Sequence, residues 1–235
     1  MYVYGDLALT TLIHETVPWG RSLDEYVAMF NLTPADLAGS ILDCGGGPSS
    51  FNAEATLRGT KVISCDPLYR FSRREIEERI AEVYPLLMNE MRLNHGTFRW
   101  DTLISPEYVG EVRMAAMNAF LADYEDGIFE DRYLEESLPR LSFPADSFDL
   151  ALSSHFLFLY SAAFSFEFPL AAIREMLRVA REIRIYPLLA MGGSPSPHVR
   201  TAIAALRLDG FRVERIPTTY EFQIGATELL RVSKT

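Results

Sequence analysis

Apolar positions along the chain fall into two alternating kinds of run. Short, dense runs occur at 40–44 (SILDC), 61–66 (KVISCD), 132–136 (RYLEE), 148–154 (FDLALSS), 182–188 (EIRIYPL), 211–217 (FRVERIP) and 228–234 (ELLRVSK). Their length and bounding residues predict strands. Between them the spacing changes to that of helices. Leu23, Tyr26, Val27 and Phe30 share one face of 22–30, and Leu170, Ile173, Leu177 and Ala180 share one face of 169–181. Residues 50–58 begin after Pro48 and Ser49 and stop at Gly59. Residues 197–209 open with Pro197 behind Ser196 and stop at Gly210. Strands separated by helix-length segments predict an α/β fold with a mostly parallel sheet. The last two strands are joined by the short segment 218–227, which predicts an antiparallel hairpin.

The stretch from 67 to 131 is too long for one crossover. It carries two helical patterns. In 72–92 the apolar positions are Ile76, Ile80, Val83, Leu87 and Met91, and Pro85 is expected to kink or break the helix. In 106–124 they are Val109, Val112, Met117, Phe120 and Tyr124. Residues 68–130 are therefore expected to be a helical insertion on a single domain spanning 1–235, serving either as a lid or as extra packing helices.

Composition narrows the classes. Of 235 residues, 49% are hydrophobic, enough for a full core. The net charge of −10 repels phosphate backbones and anionic lipid, so nucleic acid is a disfavoured partner. Cys44 and Cys65 make no disulfide framework and no zinc spacing, so no metal is expected. The amino-terminal 1–15 lacks a basic leader. Residues 150–166, free of formal charge, are slightly short for a membrane span and read as a buried strand entering an apolar loop. These features predict a soluble, cytoplasmic protein.

The chemistry centres on ILDCGGGPSS, 41–50, a strand feeding a glycine-rich turn ahead of a helix. A dinucleotide fingerprint needs a glycine where Ser50 stands, and a phosphate loop needs a Gly-Lys-Ser/Thr ending that is absent. Asp43 opposes pyrophosphate and attracts an ammonium or sulfonium group. Asp66 ends the next strand, where a carboxylate accepts hydrogen bonds from ribose hydroxyls. A ribose and a cation without phosphate describe S-adenosylmethionine (SAM). A nucleotide-dependent oxidoreductase fits less well.

Three segments, ILDCGGGPSSF, KVISCDP and LPRLSFPADSFDLALSSHFLF, together resemble the class I SAM-dependent methyltransferases, of an uncharacterised bacterial type. The family's hydrophobic-hydrophobic-D-x-G-x-G motif matches Ile41 to Gly47, its acid after the second strand matches Asp66, and its LPFPDNSFD-like segment matches LSFPADSFD at 141–149. The resemblance covers roughly 40–66 and 132–235. It departs at Ser49, where the family often has a third glycine, and at Ser137-Leu138, where a pair such as Asp-Ala usually flanks adenine.

The resemblance implies a Rossmann-like, doubly wound seven-stranded sheet and SAM as cofactor. It implies a cofactor-binding set of Asp43, Cys44, Gly45, Gly46, Gly47, Asp66, Pro67, Ser137, Leu138 and Ser154. Gly45 and Gly47 would admit the cofactor to bare main chain, Asp43 would face its amino group directly or through water, and Asp66 would hold the ribose. Cys44 and Cys65 also read simply as small buried side chains. Arg21, His155 and Tyr160 are the candidate acceptor pocket. Arg21 reads either as a donor to the methionine carboxylate or as a surface arginine. His155 reads as an acceptor-orienting or deprotonating group, or as a structural histidine. His14, His95 and His198 receive no role. The expected function is methyl transfer to a small molecule, with a non-catalytic SAM-binding protein as the alternative.

Overall fold

A computed structural model describes residues 18–234. The expectation for the leader and His14 lie outside the described residues. Helix α1 (Leu23–Phe30) opens with a capping box in which Ser22 and Glu25 satisfy each other's free backbone N–H groups. A short α2 (Pro34–Ala38) leads into β1 (Ser40–Cys44). Helix α3 (Phe51–Leu57) and β2 (Lys61–Cys65) follow, then a 3₁₀ turn over Pro67–Arg70. Two long helices, α4 (Arg73–Leu93) and α5 (Pro106–Phe129), precede β3 (Tyr133–Leu134). The chain then alternates through β4 (Phe148–Ser154), α6 (Glu167–Val179), β5 (Ala180–Tyr186) and α7 (Pro197–Leu208). It ends in β6 (Arg212–Pro217) and β7 (Glu228–Ser233).

The seven strands form one sheet in the order β3-β2-β1-β4-β5-β7-β6. All pairings are parallel except those of β7, which runs antiparallel to both β5 and β6. The expected doubly wound sheet and its antiparallel terminal hairpin are both present. The order reverses between β1 and β4, so the carboxyl ends of these two strands flank the crevice where open α/β sheets bind ligands. Leu42, Ala151 and Ile183 pack with Ile173, Met176 and Leu177 of α6 in a core on one sheet face. Ile41, Val62, Leu150 and Leu152 pack with Tyr26, Phe30 and Phe51 on the other.

Three details differ from the sequence expectations. Strand β5 begins at Ala180 because α6 passes into it with no intervening loop, and Pro187, which has no N–H to donate, follows its end. Strand β3 keeps only two residues, a short edge strand whose chain turns away at Glu136. Helix α4 is not broken by Pro85. The carbonyl of Ala81, which loses its helical partner there, lies on an exposed residue, as does Pro85, so water can take that bond.

The insertion is tied to the body along its length. Ile76 and Ile80 of α4 pack with Met117, Phe120 and Tyr124 of α5 against Tyr69 and Tyr133. The linker between the two helices bonds to the β6–β7 connection, Arg99 N–H to the Phe222 carbonyl at 2.8 Å and Ile224 N–H to the Thr97 carbonyl at 3.0 Å.

Candidate functional site

The glycine turn leaves β1 at the switch point. Gly45 donates its N–H to the Cys65 carbonyl at 2.8 Å, which locks the turn to the tip of β2. Gly45 and Gly47 have φ of 74° and 53°, values that favour glycine. Gly46 is required for space instead: a Cβ there would lie 2.4 Å from a carboxylate oxygen of Asp43 and 2.8 Å from the Tyr69 hydroxyl. Above Gly47 a Cβ would meet nothing within 4 Å, so bare main chain faces open space.

The two acids lie on adjacent tips, as expected, and both are buried. Asp43 accepts hydrogen bonds from the Tyr26 and Ser64 hydroxyls, each at 3.1 Å. Burial raises its pKa to about 7; the two hydroxyls oppose the rise, and the charge of Asp66 adds to it. Asp43 therefore sits beneath the turn rather than at its mouth, and acts on the site through its field. Asp66 accepts the N–H groups of Gly47 at 3.0 Å and Leu68 at 2.8 Å. Burial raises its pKa too, against those two bonds. A carboxylate has about four acceptor sites, so Asp66 retains capacity for hydroxyl donors.

Tyr69 completes the turn. Its hydroxyl donates to the Gly47 carbonyl at 2.8 Å, and its ring packs among Phe120, Tyr124 and Tyr133 of the insertion and β3. Sequence reasoning missed this residue. Its position three residues beyond Asp66 was the available signal.

The remaining expected cofactor residues are scattered in exposure. Cys44 and Cys65 pair in register, both buried and free, and the contact with Cys65 followed by burial pushes the Cys44 thiol well up. Pro67 and Ser137 are exposed, while Leu138 is buried in the core beside Cys44 and Cys65. Ser154 places its hydroxyl 2.9 Å from Nδ1 of His155.

Arg21, far in sequence from His155 and Tyr160, lies near enough for its charge to act on both. His155 follows β4 with φ of 52° and stacks edge-on against Tyr186 at the end of β5. Its pKa lies well below the ordinary imidazole value, first through burial and then through the charges of Arg21 and Arg113. Burial raises Tyr160, with Arg21 pulling it down and Asp66 pushing it up, so this hydroxyl stands in the field of both sides of the cleft. Arg21 is half-buried. Its N–H donates to Ser49 Oγ at 3.2 Å and its carbonyl accepts from Ser50 N–H at 3.1 Å, which pins it to the far end of the glycine turn. Its Nη1 donates to the Trp19 carbonyl at 3.3 Å, while Nε is sealed without a partner. A buried donor left unpaired costs about 1–3 kcal/mol.

A fully buried arginine was not anticipated. Arg113 of α5 is fully buried and binds Glu25, the Gly20 carbonyl at 3.3 Å and the Tyr220 hydroxyl at 3.2 Å. Tyr220 in turn donates to Glu25 at 2.8 Å. Burial disfavours the Glu25 charge, yet Arg113 holds its carboxyl below the usual range. The signal was a lone charge midway between Val109 and Met117 on the apolar stripe of α5.

An open hollow of about 550 Å³ lies at the opposite edge, by the amino ends of β1, β2 and β4, lined by Lys61, Arg132 and Phe148 among others. Arg132 is already paired with Asp123 and Glu130. The glycine turn and His155 lie instead at the carboxyl edge, after β1 and β4. No His/Cys/Asp/Glu group suited to a metal occurs among the described residues, and none of their helices is long and apolar enough to cross a membrane.

The strand order and switch-point turn define the class: a Rossmann-like sheet of the kind found in methyltransferases. An O-methyltransferase family protein from Burkholderia thailandensis superposes with a TM-score of 0.50 at 10% identity, over 90% of this chain and 55% of that one. The magnesium protoporphyrin IX methyltransferase of Synechocystis PCC 6803, solved with bound S-adenosylhomocysteine (SAH), aligns at a TM-score of 0.48 and 15% identity, over 91% and 81%. No family model matches the chain. The chain belongs to the family of the uncharacterised protein MJ0045 from Methanocaldococcus jannaschii, with 31% identity over 223 residues, 94% of this chain and 98% of that one. That relative is archaeal, so the expected bacterial type gains nothing from it.

Proposed function

We propose that the protein is a SAM-dependent methyltransferase acting on a small-molecule acceptor. The observation that carries this is the bare turn at Gly47, at the switch point, between two buried acids on neighbouring strand tips. The fit is chemical as well as spatial. Asp43 and Asp66 supply negative field for a cationic ligand, Asp66 retains acceptor capacity for ribose hydroxyls, and Gly47 offers main chain unobstructed by a side chain. Cys44, Gly45, Gly46, Pro67, Ser137, Leu138 and Ser154 complete the proposed cofactor set, Leu138 from within the core.

Bound SAM would supply a methyl carbon on a sulfonium; the acceptor bonds to that carbon as the carbon–sulfur bond breaks, its electron pair staying on sulfur. The chain's own residues position and exclude. Nδ1 of His155 is engaged by Ser154 and Nε2 has no partner among the described residues, so Nε2 is the atom proposed to take a proton from an acceptor that must lose one. Tyr160, whose hydroxyl feels the charges of Arg21 and Asp66, is proposed to orient the acceptor. Helices α4 and α5 are proposed to cover the site, with Tyr69 joining that cover to the turn.

Calorimetric titration tests the reading. SAM and SAH are expected to bind at micromolar concentrations, and no binding at millimolar SAM would remove it.

One observation favours a second reading, a non-catalytic SAM-binding protein. The ring of Phe156 lies 3.2 Å from where a Gly45 Cβ would stand, and Phe164 and Phe168 pack behind it, so aromatic side chains crowd the acceptor side. Tight SAM binding with no labelled methyl product from any lysate fraction would select that reading.

A further inference from the structure

We propose that Arg21 seats a carboxylate of the methyl acceptor, making the substrate a small-molecule acid whose reacting atom lies beside His155. This rests on the methyltransferase reading above.

Half-buried Arg21 lies within the field of fully buried Arg113, and the two are treated differently. Arg113 is compensated by Glu25. Arg21 has no carboxylate within ion-pair distance among the described residues, although the chain carries 32 acids. Of the groups around Arg21, Glu25 belongs to Arg113, while Tyr26, Tyr220 and the depressed His155 are neutral near pH 7. Among the described residues, one positive charge is thus left without an anionic partner at a half-buried position. A partly desolvated charge gains from pairing, so an anion suits the site.

Nη1 of Arg21 is used by the Trp19 carbonyl and Nε is sealed, which leaves Nη2 as the guanidinium nitrogen that is neither sealed nor bonded among the described residues. Its N–H groups carry the arginine's charge toward an anionic oxygen such as that of a carboxylate. The charge of Arg21 also reaches the proposed acceptor side. The side chains feeling its charge include His155, Tyr160 and Tyr186, on and beyond the tips of β4 and β5, whereas Asp66 stands on the tip of β2. An acid docked on Arg21 would meet aromatic walls and Nε2 of His155, which has no partner among the described residues.

The test uses the full chain saturated with SAH and two matched probe pairs, benzoate with benzamide and 4-hydroxybenzoate with 4-hydroxybenzamide, titrated by calorimetry. The acids are expected to bind about tenfold or more tightly than their amides. That preference should shrink in Arg21→Lys and vanish in Arg21→Met, with SAH affinity held within about threefold in both. Arg21→Lys keeps the charge and so separates lost recognition from lost folding, which thermal melting checks in both variants. Equal binding of acids and amides, or binding of neither, would overturn the proposal. So would a loss of about tenfold or more in SAM affinity in Arg21→Met while decarboxylated SAM binds wild type and variant alike, because that assigns the guanidinium to the cofactor's own carboxylate. Failure of SAH to bind wild type removes the methyltransferase reading instead; the acid–amide comparison on the free protein then decides whether Arg21 holds an anion.

Discussion

The hydroxyl of Tyr26 donates to Oδ1 of Asp43 at 3.1 Å, with both side chains almost wholly out of reach of solvent. The bond joins α1 to the end of β1, and it partly offsets the cost of an acid held in the dark beneath the glycine turn. Even with it, Asp43 ionises only near pH 7.

A pH dependence follows, and its sign is opposite to that of a salt-bridged aspartate. In the unfolded chain Asp43 loses its proton near pH 3.8, while in the folded protein it keeps it to about 7. Below pH 4 both states are protonated and there is no penalty. Between 4 and 7 the folded state binds more protons, so this contribution lowers stability as pH rises, to a full cost of about 4 kcal/mol above 7. Asp66 shifts in the same direction. Urea denaturation at pH 5 and pH 8 should show a smaller fall for Asp43→Asn than for wild type. Tyr26→Phe should push the Asp43 titration higher.

Ligand binding should run the other way. A cationic ligand selects the ionised form of Asp43, so SAM affinity is expected to improve up to about tenfold per pH unit between pH 5 and 7. Calorimetry in buffers of differing ionisation enthalpy should detect proton release on binding, and Asp43→Asn should abolish it.

Gly46 and Gly47 should respond differently to alanine. At Gly46 the new methyl would collide with Asp43 and Tyr69, so Gly46→Ala is expected to cost about 1–3 kcal/mol and most of the SAM affinity. Gly47→Ala meets no atom and pays only for its left-handed backbone, about 1 kcal/mol. Thermal melts and titration of both variants distinguish the two mechanisms.

Removing one member of the buried ion pair should be severe. Arg113→Met strands the Glu25 carboxylate, and a loss of about 3–5 kcal/mol is expected. Denaturant midpoints check this. The double variant Arg113→Met/Glu25→Gln should recover part of the loss, because no lone charge then remains.

Much of the fold was legible because its strands announce themselves locally. Ser40–Cys44 and Phe148–Ser154 coincide with their apolar runs, since central strands buried on both faces need continuous apolar sequence. The end of β5 and the shortness of β3 were not legible, because pairing partners rather than composition set them. Within the site, the meeting of Asp43 with Asp66 could be argued from strand order. The hydroxyl of Tyr69 on Gly47 and the union of Glu25, Arg113 and Tyr220 could not, because they join segments 22 to 195 positions apart that no local pattern links.

The bonds from Arg99 and Ile224 across to the terminal hairpin have a consequence for engineering. Excising 68–130 to leave a minimal sheet would take Arg113 from Glu25 and strip the hairpin connection of its partners at the same stroke. A chain trimmed in this way is expected to be unstable, and hydrogen exchange should find the two long helices and the last hairpin opening together as a single unit.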